Sequence, residues 1–215
     1  MADLRVTEIF HSIQGESTWA GLSCLFIRLT GCPMRCVWCD TPYAFEGGRV
    51  MSIDSIVEEI RGRNCGLVEV TGGEPLAQRD APSLIARLLD EGYKVLVETG
   101  GGVPIATCDP RAILIYDIKC PGSGEEGSNR WENLALLKPN VDEIKFVIAS
   151  RDDYLWSLDV VRRRGLAERH TVLFSAATGF LEPADLAGWI LEDAAPVRFQ
   201  VQLHKVLWGR ETRGV

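Results

Sequence analysis

Cys32, Cys36 and Cys39 stand within eight residues, in the run Gly31-Cys32-Pro33-Met34-Arg35-Cys36-Val37-Trp38-Cys39-Asp40-Thr41. Nothing else constrains the fold so tightly. Thiolates at that spacing on a Gly/Pro-containing loop can converge on one soft metal centre, and a scaffold must hold the loop in place for them to do so. The number of cysteines carries as much as their spacing. A structural zinc takes four closed ligands, and a 4Fe–4S cluster is ordinarily held by four thiolates. Three leave one position open, and an open iron can bind and activate a further molecule.

Blander readings stand beside this one. Cys24, Cys65, Cys108 and Cys120 are scattered singly, and any one of them could complete a structural four-thiolate zinc site. A disulfide framework is disfavoured by the odd count of seven cysteines, by a length of 215 residues and by the lack of a secretory pattern. No apolar window is long enough to span a bilayer, so a cytoplasmic protein with no membrane partner is expected. The formal net charge of −7 argues against a surface built to neutralise phosphates, so no direct nucleic-acid partner is expected. The basic run Arg162-Arg163-Arg164 closes a predicted helix, where cations complement the helix dipole.

Apolar periodicity alternates along the chain. Leu4–Phe10 and Ser23–Leu29 read as strands, and Ser52 as the N-cap of a helix over Ile53–Arg61. Leu67–Val70 reads as a strand ending in Thr71-Gly72-Gly73-Glu74-Pro75, and Asp80 opens a helix that stops at Gly92. Strands follow at Lys94–Glu98, Ala112–Ile118, Glu143–Ile148, Thr171–Phe174 and Val197–Leu203. Helices are predicted near Arg130–Leu137 and at Asp152–Arg163 and Pro183–Leu191. The alternation argues for parallel β-α units, and the apolar strands suit a sheet covered on both faces. About six units fit, too few for a closed eight-unit barrel. The expected fold is α/β, a single domain over residues 1–215 built as an open, partial (β/α)6-type barrel. Its strands are mostly parallel, and some helices are short or replaced by loops. The active site of such a fold lies at the carboxyl ends of the strands. The cysteine loop, the Gly-Gly-Glu-Pro turn, Glu98-Thr99, Asp117-Ile118-Lys119 and His204 all fall at strand ends.

With these residues in hand, the chain resembles the radical S-adenosylmethionine (SAM) enzymes, whose cluster motif is C-x3-C-x2-C with an aromatic before the last cysteine. Gly72-Gly73-Glu74-Pro75 is similar to the strand end with which they bind the SAM amine. A closer resemblance, to the 7-carboxy-7-deazaguanine synthase family, is carried by Glu8-Ile9-Phe10-His11-Ser12-Ile13-Gln14-Gly15-Glu16-Ser17 and by Phe26-Ile27-Arg28-Leu29-Thr30-Gly31-Cys32. The closing Val201-Gln202-Leu203-His204-Lys205 and Arg213-Gly214-Val215 add to it. The resemblance implies a radical SAM lyase that converts 6-carboxy-5,6,7,8-tetrahydropterin to 7-carboxy-7-deazaguanine and ammonia, on the route to queuosine in tRNA. It implies a 4Fe–4S cluster, SAM and Mg2+ as cofactors. One electron from the cluster would cleave SAM to a 5′-deoxyadenosyl radical that abstracts a substrate hydrogen.

By the same resemblance, Cys32, Cys36 and Cys39 hold the cluster and the Thr41 hydroxyl ligates Mg2+. Trp38, Cys39, Asp40, Gly73, Glu74, Asp117, Ile118, Lys119, Phe174, Ser175, Ala176 and Ala177 are implied SAM contacts. Ile13, Gln14, Gly15, Glu16, Arg28, Thr71, His204 and Val215 are implied substrate contacts. A carboxylate such as Glu16 suits a guanidine-like N–H edge, because it can accept paired hydrogen bonds. A guanidinium such as Arg28 suits the substrate carboxylate, and the terminal carboxylate at Val215 is expected to fold in as well. Ser17 stands where the family has glycine, and Asp117-Ile118-Lys119-Cys120 departs from a serine-proline-lysine form. A homodimer and a flavodoxin-like electron donor are further expectations from the resemblance.

Each residue also has an ordinary structural reading. Gly-Gly-Glu-Pro alone is a tight strand-to-helix turn, and Arg28 alone could pair with Glu16 or Asp40. His204 could be a core histidine and Glu98 a structural rim carboxylate, while Gly122–Gly127 reads as a loop. Two other functions compete with the synthase. A glycyl-radical-enzyme activating enzyme shares the short cluster motif, but its protein substrate gives no reason for Glu16 and Arg28. A non-catalytic metal-binding module needs only the cysteines.

Overall fold

The structure, a computed structural model, describes residues 3–209 and 212–215. Its strands are β1 (Asp3–Ile13), β2 (Ser23–Leu29), β3 (Arg49–Ser52), β4 (Leu67–Gly72) and β5 (Lys94–Thr99), followed by β6 (Ile113–Ile118), β7 (Glu143–Ile148), β8 (Thr171–Ala176) and β9 (Arg198–Gln200). The helices are α1 (Ile53–Ile60), α2 (Ala81–Asp90), α3 (Arg151–Arg164), α4 (Pro183–Glu192) and α5 (Leu203–Trp208). The strands form one sheet in the order β3-β1-β2-β4-β5-β6-β7-β8-β9. From β2 to β9 every pairing is parallel. The sheet is open, as expected for a partial barrel, with β3 and β9 at its two edges.

Local chemistry explains the elements. Ser52 caps α1 by accepting the Ser55 N–H at 3.2 Å, and Ser150 does the same for α3 at Asp153. Asp152 and Asp153 occupy the first turn of α3 and Arg162, Arg163 and Arg164 its last, the charge order the helix dipole favours. Gly165, at φ +59°, ends that helix in the left-handed region where glycine is at ease.

Four local expectations are corrected. β1 runs antiparallel to β2, and β3, which apolar patterning does not reveal, pairs antiparallel with β1 as a short edge strand. The helix expected near Arg130–Leu137 is a 3₁₀ run over Trp131–Leu136. There the Asn133 amide is drawn to the Val103 carbonyl at 2.8 Å, and Pro139 follows close behind. The last strand is Arg198–Gln200 rather than Val197–Leu203. The chain leaves the sheet there because the Leu203 N–H donates to the Gly15 carbonyl at 2.9 Å and α5 begins. His204 therefore sits on a helix, not at a strand end.

The fourth correction concerns the faces of the sheet. Strand side chains alternate. On β4, Val68 and Val70 join the main core while Glu69 and Thr71 line a cavity on the opposite face. On β7, Ile144 and Phe146 go to the core while Lys145 and Val147 line the cavity. One face is thus apolar and packed with residues from α1 to α4, and the other is largely polar. A small apolar cluster of Cys24, Phe26, Leu67 and Leu96, with the Phe10 ring stacked on Phe26 at 4.8 Å, lies apart from the main core.

Phe174 belongs to the core. It is fully buried, with the Phe146 ring at 5.4 Å and the Tyr154 ring at 6.0 Å. Phe174→Ala is expected to lower unfolding free energy by about 3–5 kcal/mol, read from urea denaturation.

Candidate active site

Two glycine-bearing segments build the mouth of the cavity. β2 ends at Leu29, where Leu29 pairs with Gly72 of β4 and Arg28 with Thr71. Beyond the strands the Gly73 N–H donates to the Leu29 carbonyl at 3.2 Å, and the Glu74 N–H to the Gly31 carbonyl at 2.8 Å. These bonds hold the root of the cysteine loop against the Gly72-Gly73 turn. Glycine is required there, since a Cβ on Gly73 would overlap the Gly31 carbonyl and the Cys32 side chain. The far side of the loop is tied down as well, by Val37 N–H to Ser123 at 3.0 Å and Arg35 N–H to the Glu125 carboxylate at 2.6 Å.

Cys32, Cys36 and Cys39 all line the cavity, whose volume is about 630 Å³, within the range of small-molecule sites. Burial pushes the Cys36 thiol up to about 11 and raises Cys32 too, so neither is a thiolate at neutral pH until a metal binds it. None of the other four cysteines reaches the cavity. Cys24 is in the small apolar cluster and Cys120 is buried against Ser157. Among the described residues, no three His, Cys, Asp or Glu side chains close on a single-ion site. Three thiols on one loop, with no fourth in reach, fit a 4Fe–4S cluster with one iron left open.

The cavity wall gathers most of the sequence-predicted residues. Ile13, Gln14, Gly15, Glu16, Arg28, Thr71, His204 and Val215 line it, as do Trp38, Asp40, Thr41, Gly73, Asp117, Lys119 and Ala177. Ile118, Phe174, Ser175 and Ala176 do not. Glu74 is also away from it, fully buried, accepting from Thr99 Oγ1 at 2.9 Å, Gly100 N at 2.8 Å and Leu76 N at 3.0 Å. Its carboxylate clamps the glycine turn to the end of β5. Arg28 pairs with neither Glu16 nor Asp40 but through Nε with Glu8 at 2.8 Å, and Glu8 also accepts from the Tyr43 hydroxyl at 2.9 Å. The Arg213 guanidinium lies 4.1 Å from the Tyr43 ring centroid and brings Gly214 and Val215 to the same wall.

A charged network covers the floor. Glu16 accepts from Lys145 Nζ at 2.9 Å, Gln202 Nε2 at 2.8 Å and Gln200 Nε2 at 3.4 Å. Burial alone would raise its carboxyl, but the Lys145 ammonium and the Gln202 amide hold it below the usual range. Asp40 is likewise opposed by burial yet held at about 2, because Lys205 lies 2.8 Å away and Gln202 donates to it. Glu69 behaves oppositely. Burial, then the nearby Glu98 and Glu16 carboxylates, push it up to about 8, and its contact is with the Gln14 amide. Burial lowers His204, so its ring is neutral at neutral pH. That ring packs so closely on Gly15 that a Cβ there would meet it.

Glu69 and Lys145 escaped the sequence reading, and Gln202 and Lys205 entered it only as members of a motif, without a role in the site. A signal was present for the first two. Each is a charged residue at an alternate position inside a β-rich apolar run, Leu-Val-Glu-Val-Thr and Glu-Ile-Lys-Phe-Val, which sends it to the face opposite the core.

The radical SAM superfamily model matches residues 26–114. A 7-carboxy-7-deazaguanine synthase from Koribacter versatilis is 46% identical over 227 residues, covering 99% of this chain and 100% of that protein. One from Chlorobaculum tepidum is 46% identical, covering 100% and 98%. The crystal structure of QueE from Escherichia coli superposes with a TM-score of 0.76 at 22% identity, over 95% of this chain and 96% of that one. Streptococcus suis SuiB bound to S-adenosylmethionine matches at TM-score 0.54 and 12% identity, over 79% of this chain and 44% of its own. Fold and cysteine loop together are those of a radical SAM enzyme. The chain belongs to the 7-carboxy-7-deazaguanine synthase family.

Two outcomes follow from this geometry. Gly73→Ala is expected to leave the fold standing, with a melting shift of only a few degrees, yet to drop reconstituted iron and sulfide well below one cluster per chain. Glu69→Gln is expected to change how stability depends on pH. The folded protein keeps the Glu69 proton up to about 8 while the unfolded chain loses it near 4.3. The native state therefore loses stability as pH rises through that window. Gln has no proton to lose, so melting of the variant relative to the parent should improve by a few degrees from about pH 5 to about pH 8.

Proposed function

We propose that the cavity binds SAM beside the cysteine loop and 6-carboxy-5,6,7,8-tetrahydropterin beyond it, and that the ring is contracted there to 7-carboxy-7-deazaguanine with loss of ammonia. The observation that carries this reading is the meeting of an ionised Glu16, Arg28 and three cluster cysteines in one cavity. When bound, the cluster and SAM supply a 5′-deoxyadenosyl radical that takes a hydrogen atom from the substrate.

The protein's part is to bind, orient and exclude water. Glu16 accepts the paired N–H groups of the aminopyrimidine edge, beside Ile13, Gln14 and Gly15. Arg28, engaged through Nε by Glu8, has further N–H donors for the substrate carboxylate. Thr71 and Val215 complete that wall, and neutral His204 offers hydrogen bonding without added charge. Trp38, Cys39, Asp40, Gly73, Glu74, Asp117, Ile118, Lys119, Phe174, Ser175, Ala176 and Ala177 form the proposed SAM side. Glu74, Ile118, Phe174, Ser175 and Ala176 do not line the cavity, so their part is to back the wall that Asp117, Lys119, Gly73 and Ala177 form. Asp117 lines the cavity with its Oδ2 taken by Lys119 at 2.8 Å, while its buried Oδ1 has no partner among the described residues, which leaves acceptor capacity behind this wall. The Trp38 and Phe180 rings, 5.9 Å apart, screen this side from water.

The reading extends to Mg2+ on the Thr41 hydroxyl, a hard oxygen ligand. A flavodoxin-like donor fits a cluster loop whose Val37 is 63% exposed beside Cys36. A homodimer fits exposed Val206, Leu207 and Trp208 on α5, and seven free thiols suit a cytoplasmic, reducing setting. No helix of the described residues is long and apolar enough to cross a membrane.

The test is anaerobic turnover of reconstituted protein with SAM, reductant, Mg2+ and 6-carboxytetrahydropterin, followed by mass spectrometry. Carboxydeazaguanine is expected, and Cys36→Ala should abolish it. Cleavage of SAM to 5′-deoxyadenosine with the pterin untouched would overturn the substrate assignment.

A further inference from the structure

β7 carries one cation on the cavity floor. The Lys145 side chain is only 5% exposed. Its ammonium lies 2.9 Å from Glu16 Oε2, bonds Glu98 Oε1, and stands 4.0 Å from Asp117 Oδ2. Those carboxylates come from three places in the fold: the loop after β1, the end of β5 and the end of β6. Its neighbours on the strand, Ile144 and Phe146, serve the core on the other face. Core packing therefore gives no reason for a lysine here, and a buried ammonium destabilises unless it is paired.

The hydrogen-bond arithmetic shows what the pairing leaves free. A carboxylate has about four acceptor sites, two on each oxygen. Gln202 takes one on Glu16 Oε1, and Lys145 takes one on Oε2 with Gln200 at a longer 3.4 Å. Oε1 keeps one acceptor site for a ligand, and on Oε2 a second opens where the long Gln200 bond is exchanged for a ligand N–H. Glu98 is held in the same way, by Lys145 on one oxygen and by Thr71 Oγ1 at 3.4 Å on the other.

We propose that Lys145 is a positioning residue that holds the Glu16 and Glu98 carboxylates in place as two fixed acceptors and so makes the cavity select a heterocycle edge carrying N–H donors. This rests on the reading above, in which Glu16 faces the aminopyrimidine. Lys145 acts through the carboxylates and touches no reacting atom. Without the ammonium, burial would favour the protonated form of Glu16, turning an acceptor into a donor that an amino edge cannot use.

The experiment compares the parent with Lys145→Met, measuring equilibrium binding of 6-carboxytetrahydropterin by fluorescence quenching, together with kcat and KM, from about pH 6 to about pH 8.5. A 2-oxo analogue lacking the amino group is measured beside it. Lys145→Met is expected to weaken pterin binding and raise KM by about 30-fold near pH 6.5, with a much smaller change in kcat. Its preference for the pterin over the 2-oxo analogue should shrink by a similar factor. The deficit should narrow as pH rises and the freed Glu16 carboxyl ionises. The other charged groups facing Lys145 are Glu69 on β4, Asp117 on β6 and Lys119 after it, with Asp40, Lys205 and His204 beyond Glu16. Lys145→Arg, which keeps the charge, should restore a flat profile.

A KM rise independent of pH, or an unchanged preference between the two heterocycles, would overturn the proposal and leave Lys145 a structural residue. Should Lys145→Met fail to fold, Lys145→Gln, a neutral donor, is judged by the same pH criterion. If the parent itself binds no pterin, the substrate assignment falls and this inference with it. If the parent binds and the neutral variants bind equally well at every pH, only the role of Lys145 falls.

Discussion

The parallel pairing of β2 with β4, with Arg28 opposite Thr71 and Leu29 opposite Gly72, is the constraint on which the site depends. It carries the two chains past their last ladder bonds together, so that the cysteine loop and the Gly72-Gly73 turn meet backbone to backbone. Two glycines allow the approach, and the buried Glu74 carboxylate anchors the turn to Thr99 and Gly100 on the neighbouring strand. A shift in that register by one residue would send either Arg28 or Thr71, on whichever strand slipped, to the apolar face.

Once the strand ends are fixed, the open sheet has to solve an electrostatic problem. Its inner face carries Glu69, Glu98, Asp117 and Lys145, joined by Glu16 and Asp40 from the loops. Buried charges of one sign are destabilising unless paired. The structure resolves this in two ways. Lys145 holds Glu16 ionised, Lys205 does the same for Asp40, and Glu69 retains its proton. The result is a cavity with fixed acceptors in one part and metal-binding thiols in another.

Several parts of this arrangement were legible in the sequence because they are local. Ser52 announces its helix, the cysteine spacing announces the cluster loop, and Gly72-Gly73 announces a tight turn. Ser17 is instructive. It departs from the family's glycine, and the backbone there is in the left-handed region at φ +64°, which costs a non-glycine residue about 1 kcal/mol or more. The chain keeps the turn regardless, with the Ser17 N–H bonded to Gln200 at 2.8 Å and its hydroxyl accepting from Trp19 at 3.2 Å. The end of the chain was less legible. Val197–Leu203 has a strand's composition, yet only Arg198–Gln200 pairs with the sheet, because Leu203 finds its partner at Gly15.

By itself the sequence determined most of the elements and the three-thiol loop, and it carries the alternation that divides strands such as β4 and β7 into two faces. These follow from spacing and periodicity, which act over a few residues. Only the tertiary structure decided that Lys145 would meet Glu16, 129 residues away, that Gln202 would bridge Glu16 and Asp40, and that Arg28 would pair with Glu8. A charged side chain has no partner until the sheet closes the distance. Which carboxylates stay ionised and which keeps a proton is then set by burial and neighbours, neither of which is written in any local stretch of the chain.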